Sequence, residues 1–166
     1  MFVTRLLNDT RGAAAAEMAL ILPLSILLLF TGFEAGHYYY QQHQVVKALR
    51  DGARYAARQS FDDINCRSGG GSINGTVASN IRTLTRTGSL SGTVSRISNW
   101  ADGDITISVS CPTTAESQTG IFDAGEPAPQ INISTSFNYD SLFNGLGVIT
   151  DSASIAGSQQ ATVMGI

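Results

Sequence analysis

Charge is scarce in this chain, and so are the residues from which catalytic and metal sites are usually built. Only 14% of its 166 residues are charged, and the net charge is −3. That balance excludes the basic surface on which nucleic-acid binding depends, so no nucleic acid is expected as a partner. Histidine occurs only as His37 and His43. Their spacing puts them on different helix faces, which rules out the i, i+4 pair of a zinc helix and leaves two surface or interfacial histidines. No GxSxG, HExxH, phosphate-loop or dinucleotide glycine motif is present. Asp62 and Asp63 beside Asn65 could lend oxygens to calcium, but EF-hand spacing is missing and a solvated loop is the simpler reading. Asn74-Gly75-Thr76 and Asn132-Ile133-Ser134 match the glycosylation tripeptide, a pattern that chance supplies often. Together these absences lead us to expect no cofactor, no metal and no enzyme, and favour a structural subunit.

Cysteine is equally sparse, with Cys66 and Cys111 alone. Their spacing fits neither a zinc site nor a CxxC motif. Two buried free thiols would satisfy the count, but an even number beyond an apolar segment suits one disulfide in an oxidising compartment. On the chain-entropy model a Cys66–Cys111 bridge contributes about 4 kcal/mol, less any strain.

Long apolar runs are absent except for one. Residues 11–34, RGAAAAEMALILPLSILLLFTGFE, begin with a basic residue and Gly12 and continue through small residues into a run long enough to cross a bilayer. Ala13 to Phe33 reaches about 30 Å as a helix, just matching a hydrocarbon core. Glu17 is its only formal charge, and an acid inside a span costs on the order of 2.5–3.5 kcal/mol at the helix centre, so it marks a functional position. Pro23 should kink the helix or loosen one backbone bond. A cleavable secretory signal fits less well, because the alanines precede the apolar run and no good A-x-A site follows it.

The helical period continues past the span. Val45, Val46, Leu49, Ala53, Ala56 and Ala57 form an apolar stripe, and Lys47, Arg50, Arg54 and Arg58 form a second face. One helix from about Ala13 to Gln59 would be roughly 70 Å long. The basic face reads most simply as solvated, with lipid headgroups or an acidic partner as the sharper alternative. Tyr38, Tyr39 and Tyr40 stand where an interfacial aromatic belt belongs, or where a partner helix would pack.

Beyond the helix the chain becomes polar and rich in Gly, Ser and Thr. Residues 65–75, NCRSGGGSING, read as a mobile glycine-rich loop. Val77, Ile81 and Leu84 mark a short helix ending near Gly88. The period then changes to two. Ile105, Ile107, Val109 and Cys111 form one half-buried strand, and Ile131, Ile133, Thr135, Phe137 and Tyr139 form another. Asp102-Gly103 suggests a hairpin turn led in by a strand near Val94–Trp100. Residues 112–130, with Pro112, Pro127, Pro129, Glu116, Asp123 and Glu126, form a loop, and a last weak strand falls within Ser152–Met164. The fold class expected is α+β, a long helix with a small antiparallel sheet docked on its outer half.

Gly12 with an acid at the fifth position after it, ahead of an apolar helix, is the pattern cut by prepilin peptidases. The stretch RGAAAAEMALILPLSILLLFTGFEAGHYYYQQHQVVKALRDGARYAARQ resembles the N-terminal region of TadE-like proteins of the tight-adherence (Flp) pilus system. The shared features are a Gly-Ala-rich start, a glutamate, an apolar run with a proline, and a further step such as Phe33-Glu34-Ala35-Gly36. The major Flp pilin and many relatives carry Glu-Tyr where this chain has Glu17-Met18, and that pilin is far shorter than this chain. The resemblance implies a pseudopilin needed for pilus biogenesis, cut between Gly12 and Ala13, with Glu17 as the position-five acid. It implies a leader at 1–12, a transmembrane helix at 13–33, its extracytoplasmic extension at 34–59 and a β-rich domain at 60–166. Expected partners are the prepilin peptidase, other pilin and pseudopilin subunits and the inner-membrane assembly platform. Arg5 and Arg11 precede the span, but Lys47 and Arg50 follow it, so charge leaves orientation open. The leader resemblance and the cysteines place the N-terminus in the cytoplasm and the C-terminal domain in the periplasm. Two other readings stay open, a general secretion-type minor pseudopilin and a periplasmic binding or adhesion domain on an uncleaved anchor.

Overall fold

A computed structural model describes residues 12–67, 70–122, 127–143 and 152–165. The leader at 1–11 and the loop acids Asp123 and Glu126 lie outside these residues. The chain is α+β: a long N-terminal helix followed by a small domain with antiparallel sheets.

Helix α1 spans Ala13–Ala57, 45 residues and about 68 Å. It runs unbroken through Pro23, whose missing N–H leaves the Ala19 carbonyl without its usual helical donor. Its two halves bury very differently. From Gly12 to Leu29 every residue is exposed, although the sequence there is almost wholly apolar. In the outer half Val45, Ala48, Leu49, Gly52, Ala53 and Ala56 are buried, while Lys47, Arg50, Arg54 and Arg58 face solvent. The buried stripe is thus rotated slightly from the one the sequence suggests, since Val46 and Ala57 are only half-buried. Small residues cause the rotation. A Cβ at Gly52 would collide with Thr85 Oγ1, so the glycine is what lets helix α2, Gly75–Thr87, cross α1 closely.

Helix α2 starts at the Asn74 cap, whose side chain accepts from the Thr76 N–H at 2.9 Å, and ends at Gly88 in the left-handed conformation. Before it, β1 (Ile64–Asn65) pairs with β2 (Ser72–Ile73). Ser72–Ile73, within the glycine-rich stretch, is therefore paired strand. The Cys66–Cys111 disulfide, with Cα atoms 5.7 Å apart, fastens this strand pair to the end of the main sheet.

That sheet has three antiparallel strands in the order β3-β4-β5: Ile105–Ser110, Gln130–Asn138 and Ser154–Thr162. Ile107 pairs with Ile133, and Ile133 with Gln159. The alternation works as the sequence suggests: Ile131, Ile133, Thr135, Phe137 and, just past the strand, Tyr139 are all buried. Strand β5 lies directly under α1, where a Cβ on Gly157 would stand 3.0 Å from Leu49 Cδ1. The core is shared by α1, α2 and the sheet.

One expected strand is absent. Residues 94–100 are irregular, and Asp102–Asp104 form a 3-10 turn instead of a hairpin. Their groups are committed elsewhere: Arg96 N–H donates to the Arg86 carbonyl, and its guanidinium pairs with Asp51 at 3.2 Å. Ile97 and Trp100 are three residues apart, not two, and both plug the core. Trp100 stacks on Phe137 and donates to Thr135 Oγ1 at 2.9 Å.

Candidate functional site

Two acids on α1 define the regions of interest. The first lies at the helix start. Gly12 is the residue before the first helical turn, with φ −84°, and Ala13 opens the helix. Among the described residues a Cβ at Gly12 would meet nothing within 4 Å. Neither its φ nor contact with any described residue demands glycine there. Glu17 follows one turn later, about 6 Å along the axis from Ala13. It is exposed, and it makes no hydrogen bond or ion pair with any described residue.

The second acid is Glu34, which the sequence singled out only as part of the Phe33-Glu34-Ala35-Gly36 step. It is fully buried at the junction of the bare and covered halves of α1. Oε1 accepts from the Tyr139 hydroxyl at 2.6 Å and from the Leu142 N–H at 3.1 Å, and Oε2 accepts from the Phe143 N–H at 3.3 Å. Burial pushes its pKa up. The hydrogen bonds from Tyr139, Leu142, Ser141 and Phe143 outweigh that and hold the carboxyl below its ordinary value, as expected when several donors converge on the charged form.

The network extends along the helix in one consistent direction. The Tyr139 proton goes to Glu34, so the Tyr139 oxygen accepts from His37 Nδ1 at 2.9 Å. The other ring nitrogen, Nε2, then accepts from Gln41 Nε2 at 3.2 Å. Both ring nitrogens of His37 are thus engaged, one by Tyr139 and the other by Gln41. His43 is exposed and takes no part. The two histidines are thus separated in role as well as in space.

The three tyrosines also divide. Tyr38 packs edge-on against Tyr139 and donates to the Ser154 carbonyl at 3.0 Å, whereas Tyr39 and Tyr40 are exposed. One turn on, Gln42 Nε2 donates to the Ala156 carbonyl at 2.7 Å. Residues Ala153 and Val163 bond to β4 and its flanks, so by the two-residue period Ser154 and Ala156 point their carbonyls away from it. Tyr38 and Gln42 therefore cap part of an open sheet edge, which suppresses unwanted strand pairing.

The remaining candidates are occupied by local structure. Asp62 pairs with Arg67 at 3.0 Å, and Asp63 accepts from Ser60 and Asn74. Asn132 lies within β4. No group of three or more His, Cys, Asp or Glu side chains able to hold a metal occurs among the described residues.

Comparison with known proteins adds one match. Residues 12–54, 43 of the 166, match the family model described as TadE-like protein. The match begins at the glycine before α1 and ends three residues short of the helix terminus, so it covers both acids and none of the sheet. Neither curated proteins nor solved structures gave a match.

Proposed function

We propose that this chain, TadE-like over residues 12–54, is a minor pilin or pseudopilin of a tight-adherence pilus, cut by a prepilin peptidase between Gly12 and Ala13. The observation that carries the reading is the bare first half of α1. An apolar helix exposed from Gly12 to Leu29 is long and apolar enough to cross a membrane, and lipid or neighbouring helices would cover it. One such N-terminal helix fits a single-pass membrane protein, and we place it in the bacterial inner membrane with the disulfide-bonded domain in the periplasm.

Cleavage would create an amine on Ala13 one turn from the Glu17 carboxylate. The two opposite charges would meet in a layer of low dielectric, where leaving either unpaired is costly. Glu17 could neutralise its own amine or that of an adjacent subunit, which gives assembly a register signal. That no described residue demands glycine at position 12 is consistent with a requirement imposed from outside, by a peptidase. The role proposed is structural and non-catalytic, with the assembly platform and other pilin subunits as partners.

N-terminal sequencing of membrane-extracted protein tests this directly. Mature protein should begin at Ala13, and Gly12→Leu should retain the leader. Glu17→Ala should be cut but fail in piliation, and Glu17→Asp should recover part of it. Wild-type protein that keeps Met1 would overturn the reading.

A further inference from the structure

Glu34 does more than close a hydrogen-bond network, because the groups it holds sit at a particular height. The Phe143 ring packs edge-on against Phe30, ring centroids 4.7 Å apart, one turn below Glu34 on the apolar run. Leu142, whose N–H is bonded to the same carboxylate, presents a half-exposed side chain, and Phe33 beside Glu34 is exposed as well. Three large apolar side chains, Phe33, Leu142 and Phe143, thus gather where the helix leaves its bare half.

Length decides what covers them. The apolar run Ala13–Phe33 rises about 30 Å, the thickness of a hydrocarbon core. Phe30 therefore stands inside that span, about 4–5 Å short of its outer end, and the Phe143 ring packed on it stands at the same depth. From these observations we propose that Leu142–Phe143 is a second membrane contact, seated in the outer edge of the bilayer beside Phe30 and Phe33, and that Glu34 makes this possible. Backbone N–H groups entering lipid need partners, and Glu34 supplies one oxygen to the N–H of Leu142 and the other to that of Phe143. The buried acid is therefore a positioning residue for a lipid-facing loop. This rests on the membrane-anchor reading above.

The test uses the full chain with its native disulfide, reconstituted in vesicles of phosphatidylethanolamine and phosphatidylglycerol. An environment-sensitive fluorophore is attached to Leu142→Cys, to Leu24→Cys in the bare helix, or to Thr106→Cys on the exposed face of β3. The Leu142 probe should be quenched by lipids spin-labelled near the headgroup end of the acyl chain and the Leu24 probe by lipids labelled deeper, and both should be several-fold less quenched by aqueous iodide than the Thr106 probe. If the Leu24 probe is shielded but the Leu142 probe is as iodide-accessible as the one at Thr106, the loop contact is refuted and the anchor stands. If the Leu24 probe is itself open to iodide, the anchor reading fails, and the loop contact with it. Glu34→Gln in the Leu142→Cys background should release the probe to iodide while Trp100 emission stays that of the folded domain. A probe that stays in lipid in that variant would refute the role given to Glu34.

Discussion

Removing the Tyr139 hydroxyl should loosen the junction between helix and domain by a measurable and pH-dependent amount. The bond it donates to Glu34 is short, at 2.6 Å, buried and charge-assisted. Hydrogen bonds to charged groups contribute about 1.5–3 kcal/mol. Tyr139→Phe keeps the ring against Tyr38 and His37, so packing loss is small, but His37 Nδ1 loses its partner. We expect Tyr139→Phe to cost about 2–3 kcal/mol, which for a domain of roughly 100 residues lowers Tm by on the order of 10 °C. Glu34→Gln should cost a similar amount. The double variant should fall short of the sum, with a coupling of about 1.5 kcal/mol or more. Trp100 is the single tryptophan and is buried in the domain core, so its emission reports urea unfolding of full-length protein in detergent. The pH dependence separates this from simple packing loss. The folded pKa of Glu34 lies below its ordinary value of 4.5, so its contribution is fully present above that value and is lost as pH falls through the folded pKa. The gap between wild type and Glu34→Gln should therefore be constant near neutrality and close in acid. A coupling under about 0.5 kcal/mol, the level at which independent sites simply add, or a gap unchanged down to strongly acid pH, would refute the argument.

Other expectations follow from the core and the bridge. Cys66 and Cys111 should resist alkylation until the protein is reduced, and the Cys66→Ser, Cys111→Ser double variant should lose about 4 kcal/mol by urea titration, since the bridge closes a 45-residue separation. Leu49→Asp should cost about 4 kcal/mol or more, because it exchanges a fully buried side chain for an unpaired charge. Arg54→Ala, on the opposite face, should stay within about 0.5 kcal/mol in the same titration.

What could be read from the sequence was whatever depends on short-range period. The alternation from Ile131 to Tyr139 gave β4 and its buried face, and the three- and four-residue steps gave the helix that continues beyond the apolar run. The exposed Arg50, Arg54 and Arg58 followed from the same spacing. Val94–Trp100 misled because branched and aromatic residues suggest a strand, whereas Arg96 gives its N–H to the Arg86 carbonyl and its guanidinium to Asp51. Glu34 was illegible too. Its donors stand 105–109 residues away, and nothing near it in the chain distinguishes a buried acid from an interfacial one. The available signal was a faint one, an acid closing an apolar run while a Tyr139-Asp140-Ser141 stretch follows a strand whose inward face is known.

Glu17 and Glu34, two of the three acids of α1, both fall within the matched residues and are partnered in opposite ways. Glu17 and Glu34 are 17 residues apart, about 26 Å along one helix, close to the thickness of a hydrocarbon core. One has no partner among the described residues, and the other has every oxygen engaged by its own domain. A carboxylate already satisfied gains little from a second subunit, while one left open gains a great deal once water is excluded. In the proposed assembly the helix therefore presents only its inner acid for recognition, and the outer acid sets how the domain stands on the membrane. Exchanging the acids for glutamine one at a time should then separate the phenotypes. Glu17→Gln should leave Trp100 unfolding unchanged and abolish piliation, whereas Glu34→Gln should lower the unfolding midpoint. A Glu17→Gln protein that is destabilised to the same degree would contradict this division of roles.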